Sequence, residues 1–294
     1  MLNLQSKSIL QEIRLPESGD FKISVLREDL VHPFTGGNKW RKLKYNLIDF
    51  REQNKKVLLT FGGAYSNHLI ATAAATHQLG IDSIGIVRGD EISNPCIQFM
   101  LENKMKLIFV SREEYRQKDN AEYISNLLLK LITNGIIKNP DDVFILPEGG
   151  SNLAAVEGTS EIANEIPEAN YIFCACGTGA TVAGISKGVK PGQEVHGIPV
   201  LKGAQFMQKN ISDLGGDLSK ITLHYDYHFG GYAKSTSELD NFCREFYFQN
   251  NIQIEPVYTG KMFFAINDLL KKGTFQTKSS ITAIHTGGIF PFYP

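Results

Sequence analysis

Short apolar runs of strand length alternate with helix-like segments along most of this 294-residue chain. Alternation of this kind is typical of α/β domains built on parallel sheets. The chain is also long enough to bury the cores of two modest domains. We therefore predict an α/β fold of two doubly wound domains with mainly parallel sheets. The large domain would comprise residues 1–46 and 156–294, and a smaller inserted domain would comprise residues 47–155.

Individual strands and helices are predicted from apolar periodicity and from the turn residues that bound each segment. Predicted strands cover 57–61, 83–87, 106–110, 143–146, 171–175, 195–200 and 281–285. The alternating run 221–229 also has the pattern of a strand. Helices are predicted over 97–103, 122–132, 153–165, 237–249 and 260–271. Three more are predicted to follow loops: one begins after Asn38, one runs from the loop 62–68 to about Leu79, and one runs from the loop 177–181 through Ile185.

The composition argues against several classes of function. The formal net charge is -1, from 30 basic and 31 acidic residues, which gives no electrostatic reason to expect nucleic acid or a membrane surface as a partner. No apolar run approaches the length of a transmembrane helix, and residues 1–15 lack the apolar segment of a secretory signal. We therefore expect a cytoplasmic enzyme that acts on a small molecule.

The cysteines do not have the spacing of a zinc site. Cys174 and Cys176 are two residues apart in a strand-like run, so their side chains should face the same side of the strand. The sequence contains no C-x-x-C pair to join them, and the other two cysteines, Cys96 and Cys243, are far away in the chain. We expect four reduced thiols in or near the core, and no metal site.

Glycine-rich loops follow four of the predicted strands and end in small hydroxyl or amide residues. Glycine lets backbone N–H groups approach an anion, and the start of the next helix adds unpaired donors and a favourable dipole. The best candidate phosphate site has two threonine hydroxyls besides its backbone donors, and is formed by Gly177, Thr178, Gly179, Ala180 and Thr181. Ser66-Asn67 suits a ligand carboxylate. Taken singly, each loop is also compatible with an ordinary turn or a helix cap.

Two nucleotide-binding alternatives fit these loops less well. A dinucleotide-binding loop needs G-x-G-x-x-G and an acidic residue about 20 positions further on. The segment 177–182 lacks the third glycine, and the strand 195–200 does not end in an acid. A Walker A loop needs G-K-[ST], which the sequence does not contain. The loop at 177–181 therefore favours the phosphate of a compact cofactor.

A candidate nucleophile, Lys39, comes directly after the run Thr35-Gly36-Gly37-Asn38. Apolar residues recur at helical spacing after it, at Trp40, Leu43, Leu47 and Phe50. The pattern predicts a helix with Asn38 as its N-cap and Lys39 in its first turn. The positive end of the helix dipole disfavours protonation there, which suits an amine that attacks an aldehyde. The alternative is a solvated basic face formed by Lys39, Arg41, Lys42 and Lys44.

A lysine nucleophile and a separate phosphate loop together indicate pyridoxal phosphate as the cofactor. The aldehyde would be held by Lys39 and the phosphate by the loop at 177–181. The cofactor would supply an electron sink, and the protein would supply orientation and electrostatics.

Six motifs occur in an order that resembles a known enzyme family. They are Gly37-Asn38-Lys39-x-Arg41-Lys42-Leu43, Gly62-Gly63-x-x-Ser66-Asn67-His68, Pro147-Glu148-Gly149-Gly150-Ser151-Asn152, Gly177-Thr178-Gly179, Val257-Tyr258-x-Gly260-Lys261 and His285-Thr286-Gly287-Gly288. The sequence is similar to the 1-aminocyclopropane-1-carboxylate deaminase / D-cysteine desulfhydrase family of fold-type II pyridoxal-phosphate enzymes. The resemblance runs from about Arg27 to Pro294.

The resemblance implies roles for the matching residues. Lys39 would hold the cofactor covalently, Asn67 would hydrogen-bond its phenolic oxygen, and Ser66 would lie beside the substrate carboxylate and amine. The loop from Gly177 to Thr181 would bind the phosphate. Catalytic roles are implied for Lys39, Ser66, Tyr232 and Tyr258, and substrate contacts for Tyr65, Ser66, Asn67 and His68. A homodimer is also expected.

Two threonines distinguish between the reactions of this family. Its deaminases carry glutamate and leucine at the positions of Thr259 and Thr286, whereas its desulfhydrases carry threonine at both. A carboxylate near the pyridine nitrogen would favour a strong electron sink, while a hydroxyl would give a weaker one. The threonines therefore favour β-elimination from a small amino acid, with D-cysteine the first expectation. The alternatives are 1-aminocyclopropane-1-carboxylate deamination, or a weakly catalytic protein that binds the cofactor.

Three departures from the family pattern bear on the substrate. Tyr65 replaces the usual glutamine before Ser66, which changes the carboxylate end of the pocket. The run 233–236 replaces a glycine–x–proline sequence after Tyr232. The connections between Val87 and Val143 are shorter than those of typical relatives.

Overall fold

The computed structural model describes residues 8–166 and 168–290. These residues form two compact units. The small unit comprises residues 43–151 and Phe290, and the large unit comprises residues 8–42 and 152–289 apart from residue 167. The domain boundaries predicted from the sequence, after residues 46 and 155, lie a few residues further along the chain.

Strands and helices alternate as the sequence predicts. Within the described residues the strands are β1 (Ile9–Ile13), β2 (Lys22–Arg27), β3 (Val57–Gly63), β4 (Asp82–Arg88), β5 (Lys106–Val110), β6 (Val143–Leu146), β7 (Tyr171–Cys176), β8 (Glu194–Pro199), β9 (Ile221–Leu223) and β10 (Ser280–Ile284). The α-helices there are α1 (Asn38–Glu52), α2 (Asn67–Leu79), α3 (Pro95–Glu102), α4 (Arg112–Tyr115), α5 (Ala121–Thr133), α6 (Leu153–Ser160), α7 (Ala180–Gly188), α8 (Met207–Asp213), α9 (Ser237–Asn250) and α10 (Thr259–Lys271).

Both sheets are mainly parallel, so the predicted fold class is confirmed. The small unit contains a four-stranded sheet in the order β5-β4-β3-β6, in which every pairing is parallel. The large unit contains a six-stranded sheet in the order β1-β2-β10-β7-β8-β9, in which only the β1–β2 pairing is antiparallel. Parallel strands need a crossover connection, which the intervening helices provide.

The central strand β7 shows why these runs are apolar throughout. Phe173 and Ala175 enter one hydrophobic cluster, while Ile172, Cys174 and Cys176 enter another. A strand buried on both faces needs apolar residues at every position. Cys174 and Cys176 face the same side, as predicted, and all four cysteines are buried free thiols.

Side-chain caps define where many helices begin. A short polar side chain accepts a hydrogen bond from the backbone of the first turn at Ser66, Asn94, Ser111, Asn120, Asn152 and Thr236. Such a cap contributes about 1 kcal/mol to helix stability. Among the described residues, none of the helices combines the length and apolar character needed to cross a bilayer.

The strand predicted over 221–229 is wrong beyond its first residues. Strand β9 ends at Leu223, and Tyr225–His228 form a 3-10 turn. The chain then enters left-handed backbone conformations, with φ of 49° at Phe229 and 90° at Gly230. Alternating aromatic and polar residues mimic a strand here, but extended pairing cannot continue through such angles.

Candidate active site

The candidate site of the large unit lies where parallel strands end. The loops after β2, β7, β8 and β10 come after the carboxyl ends of neighbouring strands, which meet at one edge of the sheet. In open α/β sheets this edge is where ligands bind. Lys39, the loop 177–179 and Thr286 all belong to this edge.

The loop before α1 is packed tightly against the loop after β10. Gly37 has φ of 71°, and a Cβ atom there would lie 2.1 Å from the backbone oxygen of Thr286. Both observations require glycine. The close approach connects the segment that carries Lys39 to the segment that carries Thr286.

Asn38 does not cap the helix, contrary to the sequence prediction. Helix α1 begins at Asn38 itself, directly after the left-handed Gly37. The Asn38 side chain instead donates from Nδ2 to Thr181 Oγ1 at 2.9 Å and accepts from Lys39 Nζ at 2.8 Å. One amide therefore joins the candidate nucleophile to the candidate phosphate loop.

Burial makes the amine of Lys39 easier to deprotonate. Desolvation lowers the Lys39 pKa to about 8, although nearby Cys174 and Glu255 act in the opposite direction. A neutral amine near physiological pH is what attack on an aldehyde requires. The sequence alone indicates only the helix dipole as a cause of this lowered pKa, and burial is a second one.

A second lysine lies close to the loop. Lys42 is only 4 % exposed, and its Nζ lies 3.4 Å from Thr178 Oγ1. Burial, with a further contribution from the charge of Lys39, lowers the Lys42 pKa to about 7. No binding role for Lys42 was predicted from the sequence.

The alternative of a solvated basic face is wrong for Arg41 and Lys42, since both are buried. The Arg41 guanidinium donates to the two carboxylate oxygens of Glu28, from Nε at 2.9 Å and from Nη2 at 2.8 Å, and also to Glu165. These contacts hold the pKa of Arg41 above its ordinary value despite burial. Glu28 and Glu165 are distant from Arg41 in sequence, so no local pattern could indicate this pairing.

The loop 177–179 has the form expected of an anion site. Strand β7 ends at Cys176, Gly179 has φ of 91°, and α7 begins at Ala180 with no acidic residue in its first turn. A Cβ atom at Gly177 would lie 3.3 Å from Tyr258 Cε1, and one at Gly179 would lie 2.9 Å from Ile211 Cγ1. Glycine therefore keeps the backbone donors accessible in a confined loop.

Glu255 is a buried acid that the sequence analysis missed. Its carboxylate accepts hydrogen bonds from the backbone N–H groups of Val257, Tyr258 and Thr259 and from the Thr259 hydroxyl. Burial raises the Glu255 pKa, while these hydrogen bonds counteract the rise. Thr259 is completely buried and hydrogen-bonded to Glu255. Thr286 lies at the start of the loop after β10, with its backbone against Gly37.

The two candidate tyrosines are neighbours. The rings of Tyr232 and Tyr258 have centroids 5.9 Å apart and meet edge to face, at 72°. Tyr232 is 42 % exposed. The structure thus brings together Lys39, the 177–181 loop, both tyrosines and both threonines within the large unit.

The remaining predicted residues lie in the small unit, at the start of α2. Ser66 caps this helix by accepting from Leu69 N at 3.3 Å, and Asn67 is the first helical residue. Tyr65 is 57 % exposed. A Cβ atom at Gly62 would lie 2.7 Å from Ser66 Oγ, so glycine is required for the turn to close on β3.

His68 differs from its neighbours in being almost completely buried. Its Nε2 lies 2.7 Å from Thr60 Oγ1, and Thr60 in turn donates to the Leu146 carbonyl at 2.8 Å. Because the Thr60 proton is used for Leu146, His68 Nε2 donates to Thr60. This contact places His68 in the interior beside β3 and β6, and a substrate contact for it remains a prediction.

Comparison with known proteins shows which family the chain belongs to. A family described as pyridoxal-phosphate-dependent enzymes matches residues 11–287. A Pyrococcus horikoshii protein provisionally named a 1-aminocyclopropane-1-carboxylate deaminase is 32% identical over 91% of this chain and 84% of its own length. The bifunctional D-cysteine desulfhydrase/1-aminocyclopropane-1-carboxylate deaminase of Arabidopsis thaliana, a mitochondrial protein, is 30% identical over 92% of this chain and 73% of its own.

Solved structures show the same fold. The crystal structure of a 1-aminocyclopropane-1-carboxylate deaminase homologue has a TM-score of 0.83 at 28% identity and covers 97% of this chain and 90% of its own. A hydrogen sulfide-producing enzyme of Fusobacterium nucleatum has a TM-score of 0.70 at 17% identity and covers 97% of this chain and 96% of its own, a likeness that concerns the fold alone.

Proposed function

Because this chain belongs to the pyridoxal-phosphate-dependent enzymes, within the 1-aminocyclopropane-1-carboxylate deaminase / D-cysteine desulfhydrase family, we propose that it catalyses β-elimination from D-cysteine. The products would be pyruvate, ammonia and sulfide. The α-carbon loses its proton, thiolate leaves the β-carbon, and water hydrolyses the released imine.

The observation that carries this proposal is the state of Glu255, the acid that acts electrostatically on Lys39. Its carboxylate already accepts from three backbone N–H groups and from the Thr259 hydroxyl. A carboxylate has about four acceptor sites, so Glu255 has little capacity left for a pyridine nitrogen. Thr286 is then the proposed partner of that nitrogen, and a hydroxyl partner favours loss of a good leaving group.

The residues of the large unit fit the cofactor by their chemistry. Lys39 is an amine of lowered pKa, and the glycine loop at 177–179 leaves backbone donors open to a phosphate, with Lys42 beside Thr178. When bound, pyridoxal phosphate supplies the electron sink that labilises bonds at the substrate α-carbon. We propose that Lys39 holds the cofactor and moves the α-proton, and that the 177–181 loop and Lys42 bind the phosphate.

Other residues would orient the substrate. We propose that Ser66 and the start of α2 bind the substrate carboxylate, with Tyr65 and His68 nearby, and that Asn67 hydrogen-bonds the phenolic oxygen. Tyr232 and Tyr258 would lie beside the reacting atoms and exclude water. The protein is further proposed to act in the cytoplasm as a homodimer, a state that light scattering of the purified protein would measure.

A second candidate reaction is ring opening of 1-aminocyclopropane-1-carboxylate to 2-oxobutanoate and ammonia. The names of the relatives favour it. A third is cofactor binding with little turnover, to which the exposed Tyr65 ring would contribute if it obstructs the carboxylate end of the pocket.

The test is a substrate panel of D-cysteine, L-cysteine and 1-aminocyclopropane-1-carboxylate, scored for sulfide, ammonia and keto acid. The parent protein should release sulfide from D-cysteine and little 2-oxobutanoate. Thr286→Leu should lose most of this activity, whereas Thr286→Ser, which keeps the hydroxyl, should retain it. A parent protein that opens the cyclopropane ring well and ignores D-cysteine would overturn the proposal.

A further inference from the structure

Lys261 is a fully buried lysine in the first turn of α10. Lysine is almost never fully buried unless its charge is compensated. Here its Nζ donates to the backbone carbonyls of Gly231 at 2.7 Å, His228 at 2.9 Å and Val200 at 3.5 Å. An ammonium group with three carbonyl acceptors uses all three of its protons.

The three carbonyls come from two separate segments. Val200 lies directly after β8, whereas His228 and Gly231 belong to the turn that leads into Tyr232. A second contact ties this turn to the same helix, since the Tyr227 hydroxyl donates to Asp268 at 2.7 Å. Helix α10 therefore holds the turn at two points.

The turn depends on such external contacts because its own backbone is unusual. Positive φ angles occur at Phe229 (49°), Gly230 (90°), Gly231 (122°) and Ala233 (53°). Non-glycine residues with positive φ persist only where the surroundings enforce the conformation. The Lys261 ammonium binds the His228 and Gly231 carbonyls, on either side of Phe229 and Gly230, and so constrains this turn from outside.

The position of the turn matters because the turn carries Tyr232 to the candidate site. Tyr232 meets the ring of Tyr258, and Tyr258 precedes the first residue of α10, within one turn of Lys261. We propose that Lys261 is a positioning residue, a tethered ammonium that holds the segment carrying Tyr232 against Tyr258. Its effect on turnover rests on the proposed function of Tyr232, whereas its effect on the turn does not.

Two opposing effects act on the charge of Lys261. Burial lowers its pKa to about 8, and the nearby Glu255 carboxylate acts to raise it. Glu255 also acts on Lys39 in the same direction. One buried carboxylate thus favours the charged form of both the candidate nucleophile and the positioning lysine.

The first experiment measures the turn directly by hydrogen exchange with mass spectrometry, in the holoenzyme and without cofactor. Lys261→Ala should speed exchange of the amides in 225–235 by about tenfold, since hydrogen bonds to a charged donor are lost. Exchange in β3 and β4 should be unchanged. The matched control is Lys271→Ala, because Lys271 is an exposed lysine on the same helix. Unchanged exchange in 225–235 would overturn the proposal.

Chemical rescue distinguishes a positioning role from a general structural one. Lys261→Ala leaves a space lined by three carbonyl oxygens, which methylammonium can fill with N–H donors. Methylammonium should restore the slow exchange and most of the lost kcat, whereas tetramethylammonium at equal ionic strength should not, because it has no N–H group. Equal effects of the two salts would contradict the proposal.

A double-mutant cycle tests the link to Tyr232. Lys261→Ala and Tyr232→Phe should each lower kcat more than they raise KM, and Lys261→Ala should have little further effect in the Tyr232→Phe background. Additive losses would contradict positioning through Tyr232. If the parent enzyme turns over neither D-cysteine nor 1-aminocyclopropane-1-carboxylate, the proposed function fails, while the hydrogen-exchange result still tests the role of Lys261 in the turn.

A second variant covers the case in which Lys261→Ala does not fold. Lys261→Met keeps most of the apolar stem and removes only the donors, so it should fold and show the same exchange pattern. If both variants are unfolded with or without methylammonium, Lys261 supports the whole fold and the proposal is wrong.

Discussion

Replacement of Arg41 by methionine should strongly destabilise the protein. The guanidinium donates twice to Glu28 and once to Glu165, and lies 3.7 Å from a carboxylate oxygen of Glu161. The Glu28 side chain is completely buried, so the variant leaves its carboxylate without its cation.

The degree of burial decides the expected magnitude. Exposed ion pairs contribute about 0–1 kcal/mol, whereas removal of one partner from a buried pair costs about 3–5 kcal/mol. The side chains of Arg41 and Glu28 are 10% and 0% exposed, so the second figure applies. We expect the free energy of unfolding to fall by about 3–5 kcal/mol, a large part of the typical ~5–15 kcal/mol.

Guanidinium chloride unfolding, followed by circular dichroism, measures the loss. Arg51→Met is the control, because Arg51 is an exposed arginine in the last turn of the same helix. The double variant Arg41→Met with Glu28→Gln should recover part of the loss, because it removes the charge of the fully buried Glu28, whereas Glu165 and Glu161 are 23% and 26% exposed. A loss below about 1 kcal/mol for Arg41→Met, equal to that of Arg51→Met, would refute the reasoning.

Three further predictions rest on the same geometry. Gly179→Val should weaken cofactor binding far more than Thr178→Ala, which removes about one neutral hydrogen bond of ~0.5–1.5 kcal/mol. If equilibrium dialysis gives the two variants equal cofactor affinities, the loop is not the phosphate site. Burial and the charge of His224 lower the His196 pKa from 6.5 to about 3. Between these two pH values the unfolded chain binds a proton that the folded chain does not, so the free energy of unfolding falls as the pH drops below 6.5. His196→Phe should therefore lose less stability than the parent between pH 7 and 5 in urea unfolding. Tyr65→Gln should lower the KM for D-cysteine by removing an exposed ring from the carboxylate end, and an unchanged KM would mean that Tyr65 does not restrict this site.

Much of the fold could be predicted because its signals are local. Strands β5 and β6 agree with the predicted ranges 106–110 and 143–146, since short apolar runs bounded by turn residues have few alternatives in a parallel sheet. The prediction fails at 221–229, where positive φ angles override an alternating pattern. Strands β1 and β2 were not predicted. Strand β1 lies at the antiparallel edge of the sheet and exposes three of its five residues, so it lacks the continuous apolar run of a buried strand.

The site was predictable only in part, because only some of its residues have a local signal in the sequence. Glycine loops and the lysine after Asn38 are visible in the sequence, because backbone geometry restricts which residues can occupy such turns. Glu28 and Glu255 were missed, since their importance comes from burial and from partners brought together by folding. Asn38 was assigned a capping role from local preference, but a tertiary contact with Thr181 uses its side chain instead.

The central claim is that Lys39 holds the cofactor, and borohydride reduction followed by peptide mapping tests it most directly. Reduction of the holoenzyme should fix the cofactor on the peptide that contains Lys39, and Lys39→Ala should abolish the labelling. Lys42 is the strongest competitor, because it lies three residues further along α1 and burial lowers its pKa to about 7. Label on Lys39 alone is the predicted result, and label on Lys42 or any other lysine would contradict the account.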